Sequence, residues 1–387
     1  MTPFNKPFLT GKETLYITDA VASGKISGNG KYTQRCQKWF EETYGFKKCL
    51  LTTSCTDALE MAAILLNLKE GDEVIMPAYT FVSTANAFVL RGAKIVFADS
   101  MEENPNLDAA AIESLITSKT KVIVPVHYAG IACDMDKIME LAEKYNLFVV
   151  EDAAQAIDSF YVGKDGIKKP LGSIGHLAAF SFHETKNIIS GEGGMLAIND
   201  PQFIQRAEII WEKGTNRSAF FRGEIDKYGW VDVGSSFLPS EIVAAFLFSQ
   251  LEHLVKIQTK RKEIWNLYLK RLKPLQEQGK IKLPYIPPYA TNNAHMFYLV
   301  CNSIQERSLL IEELKNNGIH AVFHYLSLHK SPFYTPKHDG RNLPISDRYS
   351  ETLVRLPMFY ELSENEINKA VNTIYRTFGI PHEAALA

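Results

Sequence analysis

Between residues 49 and 150 the chain alternates short apolar runs with longer segments of helical length, and no other feature limits its fold so sharply. The runs fall at 49–52, 73–76, 94–98, 121–126 and 147–150, and the segments between them at 56–67, 83–91, 108–117 and 134–145. Strands this continuously apolar are buried on both faces. Strands separated by helix-length crossovers return to the same end of a sheet and pair in parallel. The pattern predicts an α/β fold with a mostly parallel sheet between layers of helix. GDEVIMP and GAKIVFAD repeat one grammar: a glycine turn, a charge, a buried strand, a stop.

The flanks read differently. Residues 1–46 predict an arm followed by helices, broken at Gly24, Gly28 and Gly30. SGNGK carries two glycines, but no apolar strand precedes it, so it reads as a turn and not as a dinucleotide loop. Ser240 to Leu254 predicts a long helix with a serine cap, apolar on more than one face and therefore buried or at a subunit interface. A basic amphipathic helix is expected at 257–276. Prolines 284, 287 and 288 then mark a change to a smaller α+β unit, with strands near 295–301 and 319–324 and helices near 304–317 and 364–376. The division expected is an arm with a large α/β domain at 1–255 and a smaller domain at 256–387. The final PHEAALA reads as a loose tail.

Composition excludes several classes. With 42 basic and 44 acidic side chains the net charge is −2, and no basic run offers a surface for nucleic acid. No apolar run reaches the roughly 20 residues that span a bilayer. The first residues lack the apolar core of a secretory signal. Five scattered cysteines without CxxC spacing read as reduced thiols of a cytoplasmic protein, with no zinc site and no other metal.

Four stretches carry chemistry. FVVED places Asp152 at the carboxyl end of a buried strand, the edge where open α/β sheets bind ligands; an isolated aspartate there could equally cap the next helix. Gln155 follows near the same opening. In LLTTSCTDAL a strand ends in hydroxyls and a helix begins at once, which suits a phosphate or simple capping by Ser54 or Thr56. PAYTFVST offers Phe81 to stack on a planar ring, or to fill the core. Finally, AAFSFHETKNIISGEGGMLA sets Lys186 between two short strands beside a glycine turn. A phosphate cup, a stacking aromatic, a buried carboxylate and a lysine, in that order, are what pyridoxal 5′-phosphate requires.

With TSCTDALEMA, GDEVIMPAYTFVSTANA, VPVHYAG, VVEDAAQA, FSFHETKN and GEGG, the sequence resembles the DegT/StrS-type sugar aminotransferases over about residues 3–378. HETKN, EKGTNRSAFFRGEIDKY, VGSSF, NAHMFY and AVFHYLSLH are most similar to the dTDP-4-dehydro-6-deoxy-D-glucose transaminases (WecE type) of enterobacterial-common-antigen synthesis. The resemblance implies a pyridoxal-phosphate-dependent transferase of fold type I, aspartate-aminotransferase-like, and a homodimer with shared active sites. It implies Lys186 as the Schiff-base lysine, Asp152 as the pyridinium partner, Gln155 at the ring hydroxyl and Phe81 on the ring. Cys55, Thr56 and Ser181 would hold the phosphate. Two positions depart from the family: Ser54-Cys55-Thr56 replaces Ser-Gly-Thr, and Gly234-Ser235-Ser236 replaces a Gly-x-Asn motif, leaving Ser236 as the substitute for the cross-subunit asparagine. His127, His183, His324, His329 and Arg217 are candidates for touching sugar or donor, and segment 213–230 for covering a nucleotide diphosphate. The implied reaction moves an amino group from L-glutamate, leaving 2-oxoglutarate, to C4 of a dTDP-linked keto sugar. Sugar dehydratases of the same fold carry histidine in place of the lysine, which Lys186 argues against.

Overall fold

A computed structural model of the chain describes residues 1–381; the expected tail lies, apart from Pro381, outside the described residues. In chain order the strands are β1 (Lys48–Thr52), β2 (Glu73–Pro77), β3 (Lys94–Ala98), β4 (Thr120–Ile123), β5 (Phe148–Asp152), β6 (Phe160–Val162), β7 (Lys168–Pro170), β8 (Leu177–Ser181), β9 (Gly194–Ile198), β10 (Phe297–Val300) and β11 (Leu353–Leu356). The helices are α1 (Glu13–Ala22), α2 (Lys31–Tyr44), α3 (Cys55–Leu65), α4 (Val82–Val89), α5 (Met135–Tyr145), α6 (Ile204–Trp211), α7 (Arg217–Phe221), α8 (Glu241–Leu251), α9 (Leu254–Glu277), α10 (Ile304–Asn316), α11 (Pro344–Thr352) and α12 (Glu364–Thr377).

The central sheet has the order β1-β9-β8-β5-β4-β2-β3. β9 is antiparallel to both its neighbours, and every other pairing is parallel. The reversal has a local cause. β8 and β9 are joined directly by the loop 182–193, a hairpin, whereas parallel neighbours need a longer crossover. Successive side chains then divide between two cores. Ile75, Ile123, Val149, Ala178 and Met195 face Phe40, Ile138 and Leu247 on one side. Val74, Val122, Val150, Ala179 and Leu196 face Leu59, Ala62 and Phe88 on the other. The carboxyl ends of β2, β4, β5 and β8 therefore open on one edge.

α8 is apolar nearly all round, as expected, and Ser240 caps it, accepting from the Val243 N–H at 3.5 Å. Its first-turn acid, Glu241, is buried and turns outward from its own helix to accept the N–H groups of Gly30 (2.9 Å), Tyr32 (2.7 Å) and Thr33 (3.1 Å) at the start of α2. A carboxylate there satisfies unpaired donors and the positive end of the helix dipole together. This explains SGNGK. A Cβ on Gly30 would lie 2.6 Å from the Glu241 carboxyl carbon, and one on Gly28 2.5 Å from the Pro239 carbonyl oxygen.

Beyond α8, the helix α9 begins among the large core at Leu254 and Ile257 and ends in a third core with Trp265, Tyr268 and Leu272 against Phe297, Leu314 and Ile374. All five cysteines are free. Two sequence expectations fail. Segment 108–117 holds only a 3-10 turn at Glu113–Leu115. Asp108 accepts the Ala110 N–H (2.9 Å) and Ser114 donates to the Ala111 carbonyl (2.9 Å), side-chain bonds that compete with a helical ladder. Segment 319–324 forms no strand. It makes single bridges, Ile319 to Thr2 and Val322 to Arg355, while β10 pairs with β11 instead. Neither β11 nor α11 was expected from the sequence pattern.

Candidate active site

The β8–β9 hairpin delivers Lys186. Past Ser181 the strands continue to pair, with the Phe182 N–H on Gly193 (2.8 Å) and the Glu184 N–H on Gly191 (2.9 Å). Gly191 has φ 81°, a left-handed conformation that costs glycine nothing. Gly194 allows β9 to press on the start of α3, where a Cβ would lie 2.3 Å from the Ser54 carbonyl. Lys186 thus stands beside the helix N-terminus, and both line a cavity of about 810 Å³ at the carboxyl edge of the sheet.

Asp152 enters the same cavity from the end of β5. Thr84 donates its hydroxyl to Oδ2 (2.7 Å), and the Ala154 N–H donates to Oδ1 (3.2 Å). Among the described residues no cation pairs with it. Burial pushes the Asp152 carboxyl up, against the pull of the Thr84 bond and of Lys186. Burial likewise lowers the Lys186 amine, against Cys55 and Asp152, while Arg355 lowers it further. Both groups are biased toward neutrality by loss of water.

At α3, Ser54 is the cap, accepting from the Asp57 N–H at 3.0 Å, and Thr56 donates to the Ser83 hydroxyl at 2.8 Å. The first N–H groups of a helix have no intrahelical acceptor, so capping by Ser54 and an anion near Cys55 and Thr56 coexist. Burial pushes the Cys55 thiol well up, so it stays protonated. Gln155 is pinned at both ends: its Oε1 accepts the Ala129 N–H (2.7 Å) and its Nε2 donates to the Tyr325 hydroxyl (3.0 Å). Phe81 is 54% exposed at the mouth, its ring 6.0 Å from that of Tyr325. Ser181 also borders the cavity, as do His183, whose Nδ1 meets the Thr185 hydroxyl at 2.9 Å, and His324, which stacks on Tyr325 at 3.5 Å and bonds Tyr128 at 2.7 Å.

Three expected residues are not brought to this cavity by the fold of the chain. Ser236 and Arg217 line a separate cavity of about 430 Å³ with Glu212 and Lys213. His329 turns inward against Phe97, with its Nε2 3.6 Å from Asp347, because the turn that carries it is anchored on the Ala78 carbonyl through Leu328. Conversely, Thr84, His295, Tyr325 and Arg355 face the cavity and were not singled out by sequence. Arg355 left a signal, a charge inside the apolar run LVRLP.

Beside Asp152, Glu151 points to the opposite face of β5 and is fully buried. Its Oε2 accepts the Gly172 N–H (2.7 Å) and its Oε1 those of Ile174 (2.8 Å) and Gly175 (2.6 Å). His127 Nδ1 accepts the Cys133 N–H (3.2 Å), so its proton lies on Nε2 and is donated to Glu151 (2.8 Å). His127 is thereby a structural group at the cavity's base. Glu151→Gln turns one acceptor into a donor that faces N–H groups. It is expected to cost about 2–3 kcal/mol in urea unfolding, and a loss near zero would show that the cluster does not anchor β5.

Fold and site together define the class: this is a pyridoxal-phosphate-dependent transferase of fold type I. The chain belongs to the DegT/DnrJ/EryC1/StrS aminotransferase family, whose model matches residues 8–375, and it is a sugar aminotransferase. It is 32% identical over 380 residues to GDP-perosamine synthase of Escherichia coli O157:H7, covering 96% of this chain and 98% of that one. To the spore coat polysaccharide biosynthesis protein SpsC of Bacillus subtilis it is 31% identical over 381 residues, 96% of each chain. Among solved structures, a putative sugar aminotransferase from Streptococcus pneumoniae in its PMP form matches with TM-score 0.88 at 26% identity over the whole of both chains.

The cofactor is pyridoxal phosphate, and the donor set fits it. Asp152 is a buried carboxylate with no cation paired to it among the described residues, a lysine amine shares its cavity, and a helix N-terminus faces both.

Proposed function

We propose that this enzyme moves the amino group of L-glutamate to C4 of dTDP-4-dehydro-6-deoxy-D-glucose, giving dTDP-4-amino-4,6-dideoxy-D-galactose and 2-oxoglutarate. The observation that carries the reading is the convergence of the Lys186 amine and the Asp152 carboxylate on one cavity. The acceptor is supported by where the subgroup-like motifs fall. HETKN supplies His183 and Lys186, NAHMFY supplies His295 and Met296, and AVFHY supplies Phe323, His324 and Tyr325, all bordering that cavity.

Pyridoxal phosphate, when bound, supplies an electron-accepting ring that carries the amino group between the two substrates. Asp152 would keep the ring nitrogen protonated, and Thr84 holds the carboxylate in place. Gln155, fixed by Ala129 and Tyr325, would meet the ring hydroxyl. Phe81 would cover the ring, and Cys55, Thr56 and Ser181, which line the same cavity, would take the phosphate. Lys186 would hold the cofactor and serve as the base that takes up and returns the substrate proton, a task its burial-lowered basicity favours. His183 and His324 meet the sugar. Ser236 and Arg217 fit a homodimer in which they serve the neighbouring subunit's site. Exposed Phe221 (69%), Trp230 (84%) and Val231 (54%) in the adjoining segment support such an interface.

The test is product identification by NMR after incubation with glutamate and the dTDP-linked 4-keto sugar. A 4-amino product of galacto configuration is expected. Nitrogen at C3, a gluco product, or turnover only with a GDP-linked sugar would replace this acceptor with another nucleotide-linked keto sugar.

A further inference from the structure

His324, which borders the cavity, has a partner that none of these roles uses. Tyr128 opens the tight turn Tyr128–Gly130, in which Ala129 and Gly130 both take left-handed φ, 57° and 75°. An alanine holds that conformation only where its surroundings enforce it. Here the Ala129 N–H is fixed on Gln155 (2.7 Å), the Tyr128 N–H on the Asn106 amide oxygen (2.9 Å), and a Cβ on Gly130 would collide with Asn293. The Tyr128 ring therefore leaves a fixed backbone, fully buried, and its hydroxyl meets His324 Nδ1 at 2.7 Å.

Counting protons decides which of the two atoms donates. If His324 donated from Nδ1, the buried Tyr128 proton would need another acceptor, and burying it without one is costly. The neighbouring Tyr79, its ring centroid 5.5 Å away, offers no relief, because its own hydroxyl is buried without a partner. Passing the proton to Tyr79 would only move the orphan one ring along. Tyr128 therefore donates, Nδ1 accepts, and the His324 proton lies on Nε2. Burial keeps the Tyr128 hydroxyl protonated and the imidazole uncharged, the latter with help from the Arg355 and Lys186 charges. The imidazole stacks on Tyr325 with centroids 3.5 Å apart, which fixes its plane. Among the described residues Nε2 has no partner, so a neutral, oriented N–H is left to the cavity.

The carboxylates of an amino donor call for cations, whereas a neutral N–H suits a hydroxyl or carbonyl oxygen. We propose that Tyr128 is a positioning residue: its hydroxyl fixes His324 as a neutral Nε2–H donor to an oxygen of the keto sugar. The inference deepens the transaminase reading above and rests on it, but not on which sugar is accepted.

The experiment uses the holoenzyme and the variants Tyr128→Phe, His324→Gln and the two combined. Long-range proton–nitrogen NMR of histidine-labelled protein reads the tautomer, with His324→Gln assigning the signal. Wild type is expected to show a bare Nδ1 and a protonated Nε2, and Tyr128→Phe a mixture of tautomers. Stopped-flow absorbance follows the two half-reactions separately, with the keto sugar that wild type accepts. Tyr128→Phe is expected to slow the sugar half-reaction at low sugar by about 3- to 10-fold, the worth of one neutral hydrogen bond. The glutamate half-reaction should slow much less. Glutamine keeps an N–H at the Nε2 end of residue 324 and has no tautomer to fix. In its background Tyr128→Phe should therefore cost less than about 2-fold, the non-additivity of residues that act as one unit. A wild-type proton on Nδ1 overturns the proposal, as do unaltered nitrogen signals in Tyr128→Phe. So does an additive loss in the double variant, or an equal loss in both half-reactions. Should Tyr128→Phe fail to fold, the wild-type nitrogen pattern alone still overturns or upholds the tautomer. A wild type that passes nitrogen to no keto sugar removes the reading this rests on, and the sugar contact with it, whatever the nitrogen signals show.

Discussion

Lys186→Ala is expected to lower turnover by about 10,000-fold and to abolish the yellow absorbance of the lysine-bound cofactor, because in the proposed mechanism one amine supplies both the covalent anchor and the proton transfer. Lys186→Arg is expected to fare no better. Arginine keeps length and charge but cannot give up its proton near neutrality. The structure adds a second expectation. Burial lowers the Lys186 amine below the usual lysine range, so the free base forms at lower pH than on an exposed lysine. Reconstitution of cofactor-free enzyme, which needs that base, should rise with pH and level off below the ordinary lysine pKa. Full turnover by Lys186→Ala would remove the lysine from the chemistry. A reconstitution rate still climbing at pH about 10.4, the exposed-lysine value, would show that the amine is not desolvated.

Asp152→Asn should follow, with an expected loss of about 100- to 1,000-fold in kcat, as for removal of a charge that stabilises the reacting ring in a buried site. The fold should survive, since the asparagine carbonyl still accepts from Thr84. In the cofactor-free protein the sign of the stability change is opposite. Burial raises the Asp152 carboxyl, so the folded state holds this proton more tightly than the unfolded chain. Stability is then greatest below the unfolded carboxylate pKa and falls as pH rises through the interval up to the raised value. Asp152→Asn lacks that fall but sets its amide against the Ala154 N–H, so its melting temperature relative to wild type is expected to rise as pH passes through the interval. A variant both fully active and less stable at neutral pH would leave Asp152 a plain structural residue.

Phe148–Asp152 shows why much of this was legible. A strand buried on both faces must be a continuous apolar run, so a carboxylate closing it marks the sheet's ligand edge before any coordinates exist. Lys186 was legible for a related reason: a hairpin between two apolar strands needs glycine in its turn, and GEGG announces it. Segment 108–117 shows the limit. Its apolar residues Ala109 and Ile112 do reach the core, but periodicity could not weigh Asp108 and Ser114 bonding the backbone locally.

Taken alone, the sequence determined the parallel α/β core and pointed to Lys186, Asp152 and Gln155, which line one cavity, because burial and turn geometry write themselves into residue type over a few neighbours. Only the tertiary structure decided that Arg355 and Thr84 share the cavity with them, that His329 turns away, and that Ser236 and Arg217 belong to a separate recess. Those facts depend on the packing of segments far apart in the chain, such as β11 against Val322 and α4 against β5. No local pattern records that distance.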